Sequence, residues 1–165
     1  VGILIKKDNV FLKPQINGGK SSTIYRSGTP DTALIASSSV ALENALKEKD
    51  NRYKCVLEKN KKIVEFLKSL KDVKVNSNEN SIPYIINFSV QNKKANDIQA
   101  YLNSKGIYVS TKTSCCPIET PSKLVYAVTK NKELASSSIR LSLSHLTTDA
   151  EINEFMKVFK EFIEN

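Results

Sequence analysis

Two stretches of helical periodicity, Asp31 to Lys47 and Asp50 to Leu70, follow one another with no strand between them. The first carries Leu34, Ala41, Leu42 and Ala45 on its apolar side. The second carries Tyr53, Val56, Ile63, Leu67 and Leu70 at spacings of three, four and seven. Consecutive long helices of this kind read as a connector between two units. The expected division is 1–49 and 50–165.

The flanks of the connector differ. Val1 to Lys6 and Val10 to Leu12 read as short strands around a turn at Lys7-Asp8-Asn9. A strand already under way at Val1 suggests a piece of a longer chain. Gln15 to Pro30 is a polar loop. Beyond the connector, strands are expected at Val73 to Val75, Pro83 to Val90, Ile107 to Ser110 and Ser138 to Leu143, with a helix at Asp97 to Ser104 ended by Gly106. Pro83 to Val90 reads as a continuous apolar run suited to a buried position. The last helix opens at Thr148, with Glu151 completing a capping box, and buries Ile152, Phe155, Met156, Phe159 and Ile163. The fold class is α+β, a small sheet covered by helices.

Composition narrows the function. At 165 residues and 40% apolar content, the chain can form one good core or a small domain plus part of another. It shows no apolar run of membrane-spanning length and no signal peptide, so no membrane partner is expected. The net charge of +8 comes from lysines interleaved with Glu and Asp, with no aromatic–basic strip to stack bases, so no nucleic-acid partner is expected either. Three cysteines, two of them adjacent, are not a disulfide framework and suit a reducing, cytoplasmic compartment.

Periodicity fails between Thr111 and Leu124, where Cys115 and Cys116 lie among Ser, Thr, Lys and Pro. A loop this long inside a domain is usually functional or disordered, and a cysteine pair favours function. An exposed thiol with Lys112 nearby suits a thiolate nucleophile. Cys55, on an apolar helix, reads as inert. The only histidine, His145, and the lack of a second cysteine pair leave no metal site in view. Arg140 lies on a strand whose Ile139, Leu141 and Leu143 face one way while it faces the other among serines. Its guanidinium can grip a carboxylate through two parallel hydrogen bonds, or serve as an ordinary ion pair. Arg26-Ser27-Gly28-Thr29-Pro30 leads into a helix start, where main-chain N–H groups suit a phosphate.

Taken in order, these motifs resemble the cysteine desulfurases of the class V aminotransferase family, fold type I of the pyridoxal-phosphate enzymes. The resemblance rests on Arg26-Ser27-Gly28-Thr29-Pro30, on the loop Val109 to Cys115, and on Ser137 to Ser142 followed by Thr147-Thr148. It implies that residues 1–49 are the remnant of a large cofactor domain and 50–165 a small C-terminal domain. Cys115 would be the catalytic nucleophile that takes sulfur from L-cysteine as a persulfide and releases alanine. Cys116 would be an auxiliary thiol. Arg140 would hold the substrate carboxylate, and Thr29 the phosphate of pyridoxal 5'-phosphate in the neighbouring subunit of a homodimer. The stretch from Cys115 to Arg140 resembles the subgroup whose mobile loop delivers sulfur to an acceptor protein, for iron–sulfur clusters or tRNA thiolation.

The match has departures. Lys112 and Ser114 stand where the family commonly has Gly and Ala, and the cofactor lysine's histidine–lysine motif is absent. The chain alone is therefore expected to be inactive and to bind the cofactor poorly. A selenocysteine lyase is the related alternative. A cofactor-free sulfur-carrier or interaction module is the alternative from another class.

Overall fold

No glycine or proline interrupts the chain between Asp31 and Leu70, and one helix, α1 (Thr32–Ser69), occupies the span where two were expected. Asp50 and Asn51 are weak helix formers, but each costs only about 0.7 kcal/mol relative to alanine. Neither removes a hydrogen bond as proline would. Lys47 and Glu43 add an ion pair one turn apart, at 2.7 Å. The computed structural model describes residues 2–20, 23–112 and 120–164. It separates into units Val1–Lys49 and Asp50–Asn165.

In the second unit the elements after α1 are β1 (Val73–Val75), β2 (Ile85–Val90), α2 (Ala95–Ser104), α3 (Lys123–Thr129), α4 (Lys132–Ser136), β3 (Ser138–Ser142) and α5 (Asp149–Glu164). The three strands form an antiparallel sheet in the order β1-β2-β3. Val75 pairs with Phe88, and Asn87 pairs with Arg140. The second unit is thus an α+β fold, a small antiparallel sheet covered by helices, as expected.

Strand alternation builds the core. Ile86, Phe88 and Val90 of β2 and Ile139 and Leu141 of β3 share a buried cluster with Val56, Ile63 and Leu67 of α1. Ile98 and Leu102 of α2 and Ile152, Phe155 and Phe159 of α5 complete it. Phe88 meets Phe159 edge to face at 5.3 Å, and Phe155 stacks on Phe159 at 5.5 Å. The helix faces thus claim one side of the sheet and leave Asn87, Ser89 and Arg140 on the other.

Helix ends follow local chemistry. Gly106, at φ +77°, turns the chain after α2, and the Ile107 N–H donates to the Leu102 carbonyl at 2.9 Å. At α5 the Thr148 N–H donates to the Glu151 carboxylate at 2.7 Å, while the Glu151 N–H donates to the Thr148 hydroxyl at 3.2 Å. That is the expected capping box.

Several expected elements differ. Among the described residues, 2–12 contain no strand. The turn at Lys7-Asp8-Asn9 is present, with the Val10 N–H donating to the Lys7 carbonyl. Ile5 and Phe11 are 91% and 96% exposed, because an apolar run becomes a strand only where another strand pairs with its backbone. Ile107 to Ser110 makes only an isolated bridge, Ser110 with Arg140. The region after the cysteine pair contains α3 and α4, so the stretch from Cys115 to Arg140 is not loop throughout. Ser122 and Asn131 cap these helices by accepting the N–H groups of Val125 and Leu134.

Candidate functional site

The sheet face opposite the core forms one wall of a cavity of about 390 Å³ in the second unit. Asn76, Asn87 and Arg140 line it, with Lys112 and Lys123 at its rim and no carboxylate among its described lining residues. Such a surround favours an anion.

Arg140 is placed by both backbone and side chain. Its N–H donates to the Ser110 carbonyl at 2.6 Å, and the Ser110 N–H returns a bond to the Arg140 carbonyl at 3.1 Å. An Nη of Arg140 donates to the Ser110 hydroxyl at 3.1 Å. Its Nε is buried and has no partner among the described residues. A guanidinium held on one side with a free donor on another is prepared for a planar acceptor.

A polar chain runs behind it. The Ser89 hydroxyl donates to the Leu134 carbonyl at 2.7 Å. Asn76 Nδ2 donates to the Ser89 oxygen and to Asn87 Oδ1, both at 2.8 Å. Asn87 Nδ2 donates to the Ile139 carbonyl at 3.1 Å, beside Arg140. These residues were not singled out from the sequence. The signal was the regular interruption of Ile85-Ile86-Asn87-Phe88-Ser89-Val90 by polar residues at every second position.

Cys115 and Cys116 lie outside the described residues. The segments on either side of them border the Arg140 cavity through Thr111, Lys112 and Ser122. Lys112 Nζ donates to the Thr120 carbonyl at 3.2 Å, and the Ser122 N–H donates to the Ala135 carbonyl at 2.9 Å. Cys55 is half-buried, with its Sγ 3.9 Å from the His145 carbonyl, which also accepts from Lys59 Nζ at 3.1 Å.

Thr29 belongs to the first unit, where it is exposed. The Ser27 N–H donates to the Ile16 carbonyl at 3.2 Å, clasping two loop segments together. Gly28, at φ +110°, lets the Arg26 guanidinium lie over its backbone; an added Cβ would come 3.0 Å from Nη1. The helix start itself is taken, because Asp31 Oδ1 accepts the Leu34 N–H at 3.0 Å and puts a carboxylate there. That leaves Arg26 and the exposed Thr29, rather than the first turn of α1, as the groups of this loop that could meet a phosphate.

Comparison with known proteins adds a family context. The family described as Aminotransferase class-V matches residues 6–155. The cysteine desulfurase IscS of Dictyoglomus turgidum is 32% identical over 99% of this chain and 42% of its own length. A solved NifS-like protein superposes with a TM-score of 0.82 at 26% identity, over 96% of this chain and 40% of that one. The NifS-like protein of Rickettsia africae gives a TM-score of 0.80 at 25% identity, over 95% and 41%. The chain therefore spans less than half the length of these relatives.

Proposed function

Because the chain belongs to the class V aminotransferase family, we propose that it works as part of a pyridoxal-phosphate-dependent cysteine desulfurase. The observation that carries this reading is Arg140: a half-buried guanidinium whose buried Nε has no partner among the described residues, in a cavity lined by lysines and bordered by both flanks of the cysteine-bearing segment.

Arg140 binds the carboxylate of L-cysteine, held in place by Ser110 and assisted by the positive rim at Lys112 and Lys123. Pyridoxal phosphate, when bound, supplies the electron sink that loosens bonds around the substrate α-carbon. Arg26 and Thr29 would hold its phosphate in a neighbouring subunit, making the enzyme a homodimer. The Cys115 thiolate attacks the substrate sulfur; an S–S bond forms, the C–S bond breaks, and the carbon skeleton leaves as alanine after protonation. The persulfide then passes to an acceptor protein, with Cys116 as an auxiliary thiol. The single histidine is followed by Leu146, so no lysine here stands in a histidine–lysine motif, and the chain by itself is expected to be inactive.

The test measures cysteine-dependent alanine release by the full-length gene product. Cys115→Ala abolishes turnover and Cys116→Ala retains it. Arg140→Lys keeps the charge but loses the fork, raising KM for L-cysteine about tenfold or more. Unchanged turnover in Cys115→Ala would sink the nucleophile assignment, and alanine release by the chain alone would overturn its expected inactivity.

A further inference from the structure

Ser110 meets Arg140 through a single isolated bridge, at the strand that ends the sheet order β1-β2-β3. A one-residue bridge has no neighbouring rungs to hold it in register, so part of what orients Ser110 must come from another element.

That support comes from α2. The half-buried Gln99 donates from Nε2 to the Val109 carbonyl at 2.7 Å. A carbonyl only accepts, so the Gln99 amide must present its nitrogen here and cannot be flipped. The same peptide, between Val109 and Ser110, donates its N–H to the Arg140 carbonyl at 3.1 Å. A trans peptide is planar and points its C=O and N–H in opposite directions, so fixing one fixes the other. Gln99 on one side and Arg140 on the other thus set the plane of this peptide. Ile98, Leu102 and Val109 lie in the core cluster, which makes α2 a firm base for the contact.

Ser110 passes that orientation on. Its hydroxyl accepts from an Nη of Arg140 at 3.1 Å, and its carbonyl accepts the Arg140 N–H at 2.6 Å. A tilt of the Val109–Ser110 peptide therefore displaces the hydroxyl that holds the guanidinium. A forked contact to a planar carboxylate tolerates little such displacement.

We propose that Gln99 is a positioning residue for substrate binding: through the Val109–Ser110 peptide it holds the Ser110 hydroxyl where that group aims Arg140 at the carboxylate of L-cysteine. The inference rests on the carboxylate role proposed for Arg140 and adds a residue of α2 that acts only through others.

The experiment measures kcat and KM for cysteine-dependent alanine release by the full-length gene product. Gln99→Leu keeps size and helix propensity but removes the donor. It raises KM about three- to tenfold, the factor that one neutral hydrogen bond corresponds to, and lowers kcat by less. Gln99→Lys supplies an N–H donor again and recovers most of the loss. In an Arg140→Lys background, Gln99→Leu raises KM no further, because the contact has lost the fork it aims. An unchanged KM in Gln99→Leu, no recovery in Gln99→Lys, or an equal rise in KM in the Arg140→Lys background overturns the Gln99 assignment and leaves that of Arg140 standing. If Arg140→Lys does not itself raise KM, the carboxylate reading falls and the Gln99 inference with it.

Discussion

Phe88 and Asn87 are adjacent on β2 and have opposite duties. Phe88 is fully buried against Phe159, and Asn87 faces the cavity beside Arg140. Phe88→Ala should cost about 3–5 kcal/mol, since the surrounding core can close the void only in part. Chemical denaturation of the chain measures this, and a loss below about 1 kcal/mol would mean the core is looser than its packing indicates. The alternation that makes Arg140 face away from Ile139 and Leu141 was legible in the sequence, because a period of two is a property of neighbouring residues. The same alternation is present in β2, where four apolar side chains drew Asn87 and Ser89 into what read as one buried run. Ser89 is indeed buried, but it is satisfied by the Leu134 carbonyl, a partner that no local pattern reveals.

Among the elements, α5 carries a pH-sensitive cap. Glu151 is held below the ordinary value of 4.5, first by its hydrogen bond from the Thr148 N–H and then by that from the Thr148 hydroxyl. A carboxylate with a lowered folded-state pKa lends stability that is complete above its unfolded value and is lost as pH falls through the folded one. Acidification below 4.5 should therefore fray the start of α5, and Glu151→Gln should flatten that part of the stability–pH curve. Hydrogen exchange at the first-turn amides of α5 reports it; the same acid response in Glu151→Gln would rule the cap out as its source. This capping box was readable because its partners are three residues apart. The caps of α3 and α4, Ser122 and Asn131, were equally local, but both helices are short and carry no full apolar period. Lys130 closes α3 at φ +54°, a position where glycine would have marked the end.

At the scale of the molecule, the continuous buried cluster runs from Val56 to Phe159, entirely within Asp50–Asn165. That segment expressed alone should keep a cooperative unfolding transition and dispersed amide resonances, since every buried member of the cluster travels with it. Collapse to a molten state would show that residues 1–49 contribute to its stability. Sequence by itself determined the helical span from Asp31 to Leu70, the two-sided strand bearing Arg140, the glycine-ended α2 and the capped α5. Each is encoded within a few residues, by period, breaker or cap. Only the tertiary structure decided what meets these elements: Ser110 against Arg140 at a separation of 30 residues, Asn76 against Ser89 at 13, and the Cys55 thiol near the His145 carbonyl at 90. The physical reason is that a hydrogen bond between distant residues depends on how the layers pack, and packing is a property of the whole core rather than of any window along the chain.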